Sequence, residues 1–167
     1  MGELNFETFF AQHFDSVRRS LAVALGDAGL AEEFAQEAFM RALRRWRVVS
    51  NHERPSTWVY VVAVRAAGRR LSDDRRPSAW APAVDGQDEL GSVTTVVAIR
   101  DALKSLAPRQ RLAVVLRYLV DLPLADVAEV MGCSVGTVKS TLHTALGHLR
   151  VELDEWDDGE ARDAVYA

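Results

Sequence analysis

The chain has 167 residues, 49% of them hydrophobic and 26% charged, with 20 Lys and Arg against 24 Asp and Glu for a net charge of −4. That length suits one medium core or two small ones, and with 5 Pro, 10 Gly and no alternating strand pattern it predicts an all-α protein. The single cysteine excludes an intrachain disulfide; no signal peptide opens the chain and the apolar run at 58–64 is too short to span a bilayer, so a cytoplasmic protein without membrane insertion is expected.

In chain order, the first predicted helix starts at Asn5 or Thr8 and ends at Gly26. It carries Phe6, Phe9, Phe10, Phe14, Val17, Leu21 and Leu25, and its aromatics are read as core. The second spans about 31–46, with Glu32, Glu33 and Glu37 early and Arg41, Arg44 and Arg45 late, the order that the helix dipole favours. After a loop through Asn51 and Pro55, Ser56 is the expected cap of a third helix reaching about Ser72. Residues 77–92, with Pro77, Pro82, Gly86 and Gly91, read as a flexible linker. They divide the chain into two small helical domains, 1–76 and 93–153, followed by an acidic tail at 154–167.

The second domain begins with predicted helices at 93–106 and 108–119 and ends in a helix-turn-helix at 122–151, LPLADVAEVMGCSVGTVKSTLHTALGHLRV. Pro123 marks the entry to the first helix, Val127, Ala128 and Met131 repeat at helical spacing, and Gly132 suits the left-handed backbone that closes it. Small Ala128 allows a close crossing, Cys133 reads as a small core residue in the turn, and Ser134 is the expected N-cap of the next helix. On that helix Val135, Val138, Leu142, Ala145 and Leu149 form an apolar stripe. Gly136, Thr137, Lys139, Ser140, Thr141, His143 and Thr144 then point outward, as base and phosphate readers would.

Charge is strongly segregated. Residues 41–76 hold ten Arg against Glu53, Asp73 and Asp74, a net of +7, while residues 151–167 hold seven acids against Arg162, a net of −6. The basic band suits phosphate neutralisation; the tail is expected to be disordered. His13, His52, His143 and His148 are dispersed, and no Gly-rich phosphate loop or nucleophile motif occurs, which argues against a metal site or an enzyme. From the residues alone, an operator-binding regulator with a dimerising or sensing amino-terminal unit remains open, as does a protein that sequesters a transcription factor.

Residues 30–46, LAEEFAQEAFMRALRRW, resemble the region-two helix of bacterial RNA polymerase sigma factors, and the helix-turn-helix, with its run SVGTVKS, resembles their region four. The order and separation of the two motifs make residues 6–153 similar to a sigma factor of the extracytoplasmic-function type. The resemblance implies an alternative sigma factor, not an enzyme, that binds core RNA polymerase, directs it to promoter DNA and helps open the duplex. It implies no cofactor, a monomer when free, and an anti-sigma factor as a candidate partner.

By the same resemblance Gln36, Glu37, Arg41 and Arg44 hold the polymerase clamp helices. Minus-ten recognition and melting fall to Trp46, the loop 48–55, Trp58, Tyr60, Arg65, Arg69, Arg70, Arg75 and Arg76. Trp58, at the entry of an apolar run, is read first as core, and the arginines as the firmer contacts. Minus-thirty-five recognition falls to Ser134, Gly136, Thr137, Lys139, Ser140, Thr141, His143 and Thr144. Ala66 stands where the family commonly has Asn, removing a polar group expected near the melted strand. Thr141 and Thr144 stand where Arg is frequent, and the loss of two cations should lower the salt slope of DNA binding by about two units.

Overall fold

The computed structural model describes the backbone of residues 5–73, 99 and 101–166, with side chains at 5–69, 99 and 101–153. Helix α1 (Phe6–Leu25) is capped by the Asn5 side chain, which accepts from the Thr8 amide, and closes at Gly26 with φ 74°. Helix α2 (Ala28–Arg44) starts three residues earlier than its charge pattern suggests, because Asp27 caps it through the Leu30 amide. Arg45 breaks the helix, and a single turn, α3 (Trp46–Val49), leads into the loop. Helix α4 (Pro55–Asp73) begins at Pro55 itself, so Ser56 lies inside its first turn instead of capping it.

The linker at 77–92 and most of the helix expected at 93–106 lie outside the described residues, which resume with a helical stretch at 101–105. Helix α5 (Pro108–Val114) continues into a π-helical turn (Val115–Leu119), closed by the Val120 amide on the Val115 carbonyl at 3.0 Å. Asp121 leaves that turn with φ 57°, a rare conformation outside glycine. Helix α6 (Leu124–Met131) ends at Gly132 with φ 63°, and α7 (Val135–Tyr166) runs for 32 residues, about 48 Å. The acidic tail expected to be disordered is thus a continuation of α7 as far as Tyr166.

Packing follows the small residues. Ala31, Ala35, Ala38 and Ala42 line one side of α2, all fully buried, and let α1 and α4 lie close on either side of Phe34 and Phe39. In the carboxy-terminal unit Val138, Leu142 and Ala145 of α7 pack on α5 and α6. The two units are not separate bodies. Helix α6 packs on α4, α1 touches α5 and the π turn, and one buried apolar cluster runs from Phe9 and Val59 through Leu106 and Val127 to Ala145.

Candidate functional site

Helices α1 and α2 leave an apolar groove of about 460 Å³ between them, lined by Phe6, Phe10, Phe14, Gln36, Phe39, Met40 and Leu43. Adjacent Phe9 and Phe10 cannot face the same core, because successive residues sit 100° apart on a helix. Phe9 goes inward. Phe10 turns outward at 39% exposure, stacked on Phe14 at 4.7 Å and edge-on to Phe39 at 5.3 Å. Met40 and Leu43, at 56% and 55% exposure, complete the wall. Apolar side chains gathered in the open at such exposure make this face a candidate interaction surface. Polar residues border it: Gln36 donates to Glu32 at 3.1 Å, Glu37 pairs with Arg41, and Arg44 is exposed in the last turn of α2.

Of the four polar residues expected on this face, Gln36 lines the groove, and Glu37, Arg41 and Arg44 lie on the adjoining side of α2. The reading of α1's aromatics as core is corrected for Phe10, and Phe10, Phe14, Met40 and Leu43 join the candidate surface without having been expected there. The signal was present in the spacing of Phe6, Phe10 and Phe14 at i, i+4 and i+8, a stripe offset from Phe9.

On α4 a strip at i, i+4, i+7 and i+11 holds half-buried Trp58 and Val62, then exposed Arg65 and Arg69. Two aromatics assigned to DNA lie elsewhere. Tyr60 is 2% exposed, and its hydroxyl meets Ser20 Oγ at 2.7 Å, tying α4 to α1; burial pushes the phenol pKa up. Trp46 packs edge-on to Phe6 at 5.3 Å and against Phe9 at 5.1 Å, so its ring belongs to the aromatic cluster. Ala66 is also buried, off this exposed strip. Arg70 lies on α4 but its side chain, like all of Arg75 and Arg76, is outside the described residues. Ahead of α4, Val48 in α3 and Asn51, Glu53 and Arg54 in the loop are exposed to solvent.

The helix-turn-helix is closed by its caps. The Cys133 amide bonds the Ala128 carbonyl at 3.0 Å, and Ser134 Oγ accepts from the Thr137 amide at 3.1 Å and meets Thr137 Oγ1 at 2.9 Å. Gly136, Thr137, Lys139, Ser140, His143 and Thr144 are exposed on α7 and Thr141 is half-buried. Val135, placed on the apolar stripe by periodicity, is exposed because it sits at the first turn, beyond the edge of the packed face. Ser140 and Thr144 donate back to the carbonyls of Thr137 and Ser140 at 3.0 and 3.1 Å, leaving their oxygens as acceptors. Lys139 supplies this surface with a cation. Cys133 is half-buried against the core, as a small apolar residue would be.

Among the described residues no group of His, Cys, Asp or Glu is arranged to hold a metal ion, and no helix is long and apolar enough to cross a membrane.

Comparison with known proteins meets this geometry at both ends. Residues 9–77 match the family model for Sigma-70 region 2, and residues 97–149 that for Sigma-70 region 4. The RNA polymerase sigma-E factor of Streptomyces coelicolor is 32% identical over 92% of this chain and 89% of its own length. The ECF RNA polymerase sigma factor SigL of Mycobacterium tuberculosis is 30% identical over 78% of each. In fold, the chain is similar to the sigma factor RpoE of Bartonella quintana, solved with the anti-sigma factor NepR. That likeness has a TM-score of 0.72 at 21% identity, over 89% of this chain and 96% of that one. With both regions matched in order and relatives aligned over most of its length, the chain belongs to the extracytoplasmic-function sigma factors of RNA polymerase.

Proposed function

We propose that this sigma factor grips core polymerase through the α1–α2 groove and reads promoter DNA with two surfaces, the α4 strip and the polar face of α7. The observation that carries the reading is the groove itself: Phe10, Met40 and Leu43 stand exposed beside the polar run Gln36, Glu37, Arg41 and Arg44. A helical partner laid along α2 would bury the apolar wall and meet the charged border, as helix-in-groove recognition requires. The surface Glu37–Arg41 pair adds only about 0.3 to 0.5 kcal/mol to α2 and remains available to such a partner.

Arg65, Arg69 and the loop at 48–55 would hold the backbone of the minus-ten strand, with Arg70, Arg75 and Arg76 extending the basic surface. Gly136, Thr137, Lys139, Ser140, Thr141, His143 and Thr144 would enter the major groove at the minus-thirty-five element, behind the Ser134 cap. Catalysis stays with the polymerase, the protein works in the cytoplasm as a monomer when free, and an anti-sigma factor is its candidate regulator. Run-off transcription with bacterial core polymerase on a genomic fragment library tests the reading. Discrete starts sharing two upstream elements are expected; failure to bind core would overturn it in favour of an operator-binding regulator.

A further inference from the structure

Helix α7 outlasts the helices that cover it. Val138, Leu142 and Ala145 are buried against α5 and α6, and among the described residues half-buried Leu149 is the last side chain of α7 packed on the buried cluster. The helix then runs on to Tyr166, about 25 Å further. Its apolar stripe does not stop with the cover: Leu146 is 42% exposed and Leu153 37%. Leu146, Leu149 and Leu153 fall at i, i+3 and i+7, and in the sequence Trp156 takes the next position of the same heptad pattern. In that register Arg150, Glu152 and Asp157 occupy the flanking positions, and Glu160 and Asp163 end the stripe.

We propose that this outer part of α7 is a docking site for a basic amphipathic helix of a regulatory protein separate from core polymerase. An exposed stripe at heptad spacing is covered when a partner helix sets its own apolar seam against it. Charge decides which helix that is. Residues 151–167 hold seven acids against Arg162, so a second copy of this chain would bring a net of −6 against −6. Lys and Arg flanking a partner's seam would instead meet Glu152, Asp157 and the acids around them. Charge also separates the site from the α1–α2 groove, whose border carries Arg41 and Arg44. In naming a partner other than core polymerase, the inference rests on the assignment of that groove above.

The probe is a fluorescein-labelled synthetic peptide of three heptads with Leu at every a and d position and Lys at every e and g; its control carries Glu in place of each Lys. Anisotropy titrations with the full chain should show saturable binding of the Lys peptide that weakens as salt rises, and at least about tenfold weaker binding of the Glu peptide. Leu146→Glu with Leu153→Glu should weaken binding of the Lys peptide at least about tenfold, although the change adds negative charge. Both side chains are exposed, so melting temperature should hold, as should affinity for core polymerase. Equal binding of the two peptides, or undiminished binding of the Lys peptide by the leucine variant, would overturn the site. Loss of peptide binding in Met40→Asp with Leu43→Asp would place the peptide in the α1–α2 groove and overturn it as well. Self-association in sedimentation velocity, abolished by the leucine variant, would give the stripe to a second copy, and a fall in that variant's core affinity would give it to polymerase. Full core affinity in the Met40 and Leu43 variant would overturn the assignment of the groove, with peptide binding at the stripe still standing.

Discussion

Tyr60 and Met40 divide by neighbourhood, not by residue type. Tyr60, an aromatic on α4, spends its hydroxyl on Ser20, whose own hydroxyl meets the Ser16 carbonyl at 2.8 Å. Tyr60→Phe should cost about 1 kcal/mol in chemical denaturation and leave transcription start sites unchanged; a shift in start-site selection would return Tyr60 to the DNA surface. Met40 and Leu43 behave in the opposite way. Met40→Asp with Leu43→Asp places charge on an exposed apolar wall, so stability should change by about 0.5 kcal/mol or less per site while core-polymerase affinity falls at least about tenfold. Co-sedimentation or anisotropy against core enzyme reads the difference. His13 packs on the Phe9 ring at 4.7 Å, and burial lowers its pKa. The folded state therefore binds that proton less readily than the unfolded chain. Stability should fall as pH drops below the unfolded value of about 6.5 and level off below the folded one, and His13→Gln should flatten that part of a melting-temperature profile.

At the scale of elements, the recognition helix is a well-capped scaffold with a lightly charged face. Ser134→Ala removes the hydroxyl that satisfies the Thr137 amide and should cost about 1 kcal/mol of stability. Thr141 and Thr144 tell more about DNA. Thr144 is exposed and Thr141 half-buried, about one helical turn apart on the helix that also presents Lys139 and His143. Arginine at both positions should strengthen promoter binding and steepen its salt dependence by about two units of log–log slope. Equal affinity across a salt titration would show that neither position faces phosphate. Helix α2 carries a different balance: its alanine side is given to packing and its Met40–Leu43 side to the groove, so a single helix joins the core to the surface assigned to the polymerase.

At the scale of the molecule, the buried cluster passes without a break from the amino-terminal unit into the helix-turn-helix. Unfolding by calorimetry should accordingly be a single transition with matching calorimetric and van't Hoff enthalpies; two resolved transitions would mean that the units are thermodynamically independent. The sequence alone determined the all-α class, the end of α1 at Leu25, the αL glycines at Gly26 and Gly132, the Ser134 cap and the polar face of α7. Each of these rests on interactions within a few residues of chain, through helical period, cap chemistry or backbone sterics. The fate of Phe10, Trp46, Tyr60 and Ala66, and the docking of α6 on α4 through Asp126 and Thr57, required the tertiary structure. Periodicity says that a face is apolar, but which distant helix covers it, and which apolar residue is left in the open, depends on contacts between segments that the chain brings together only on folding.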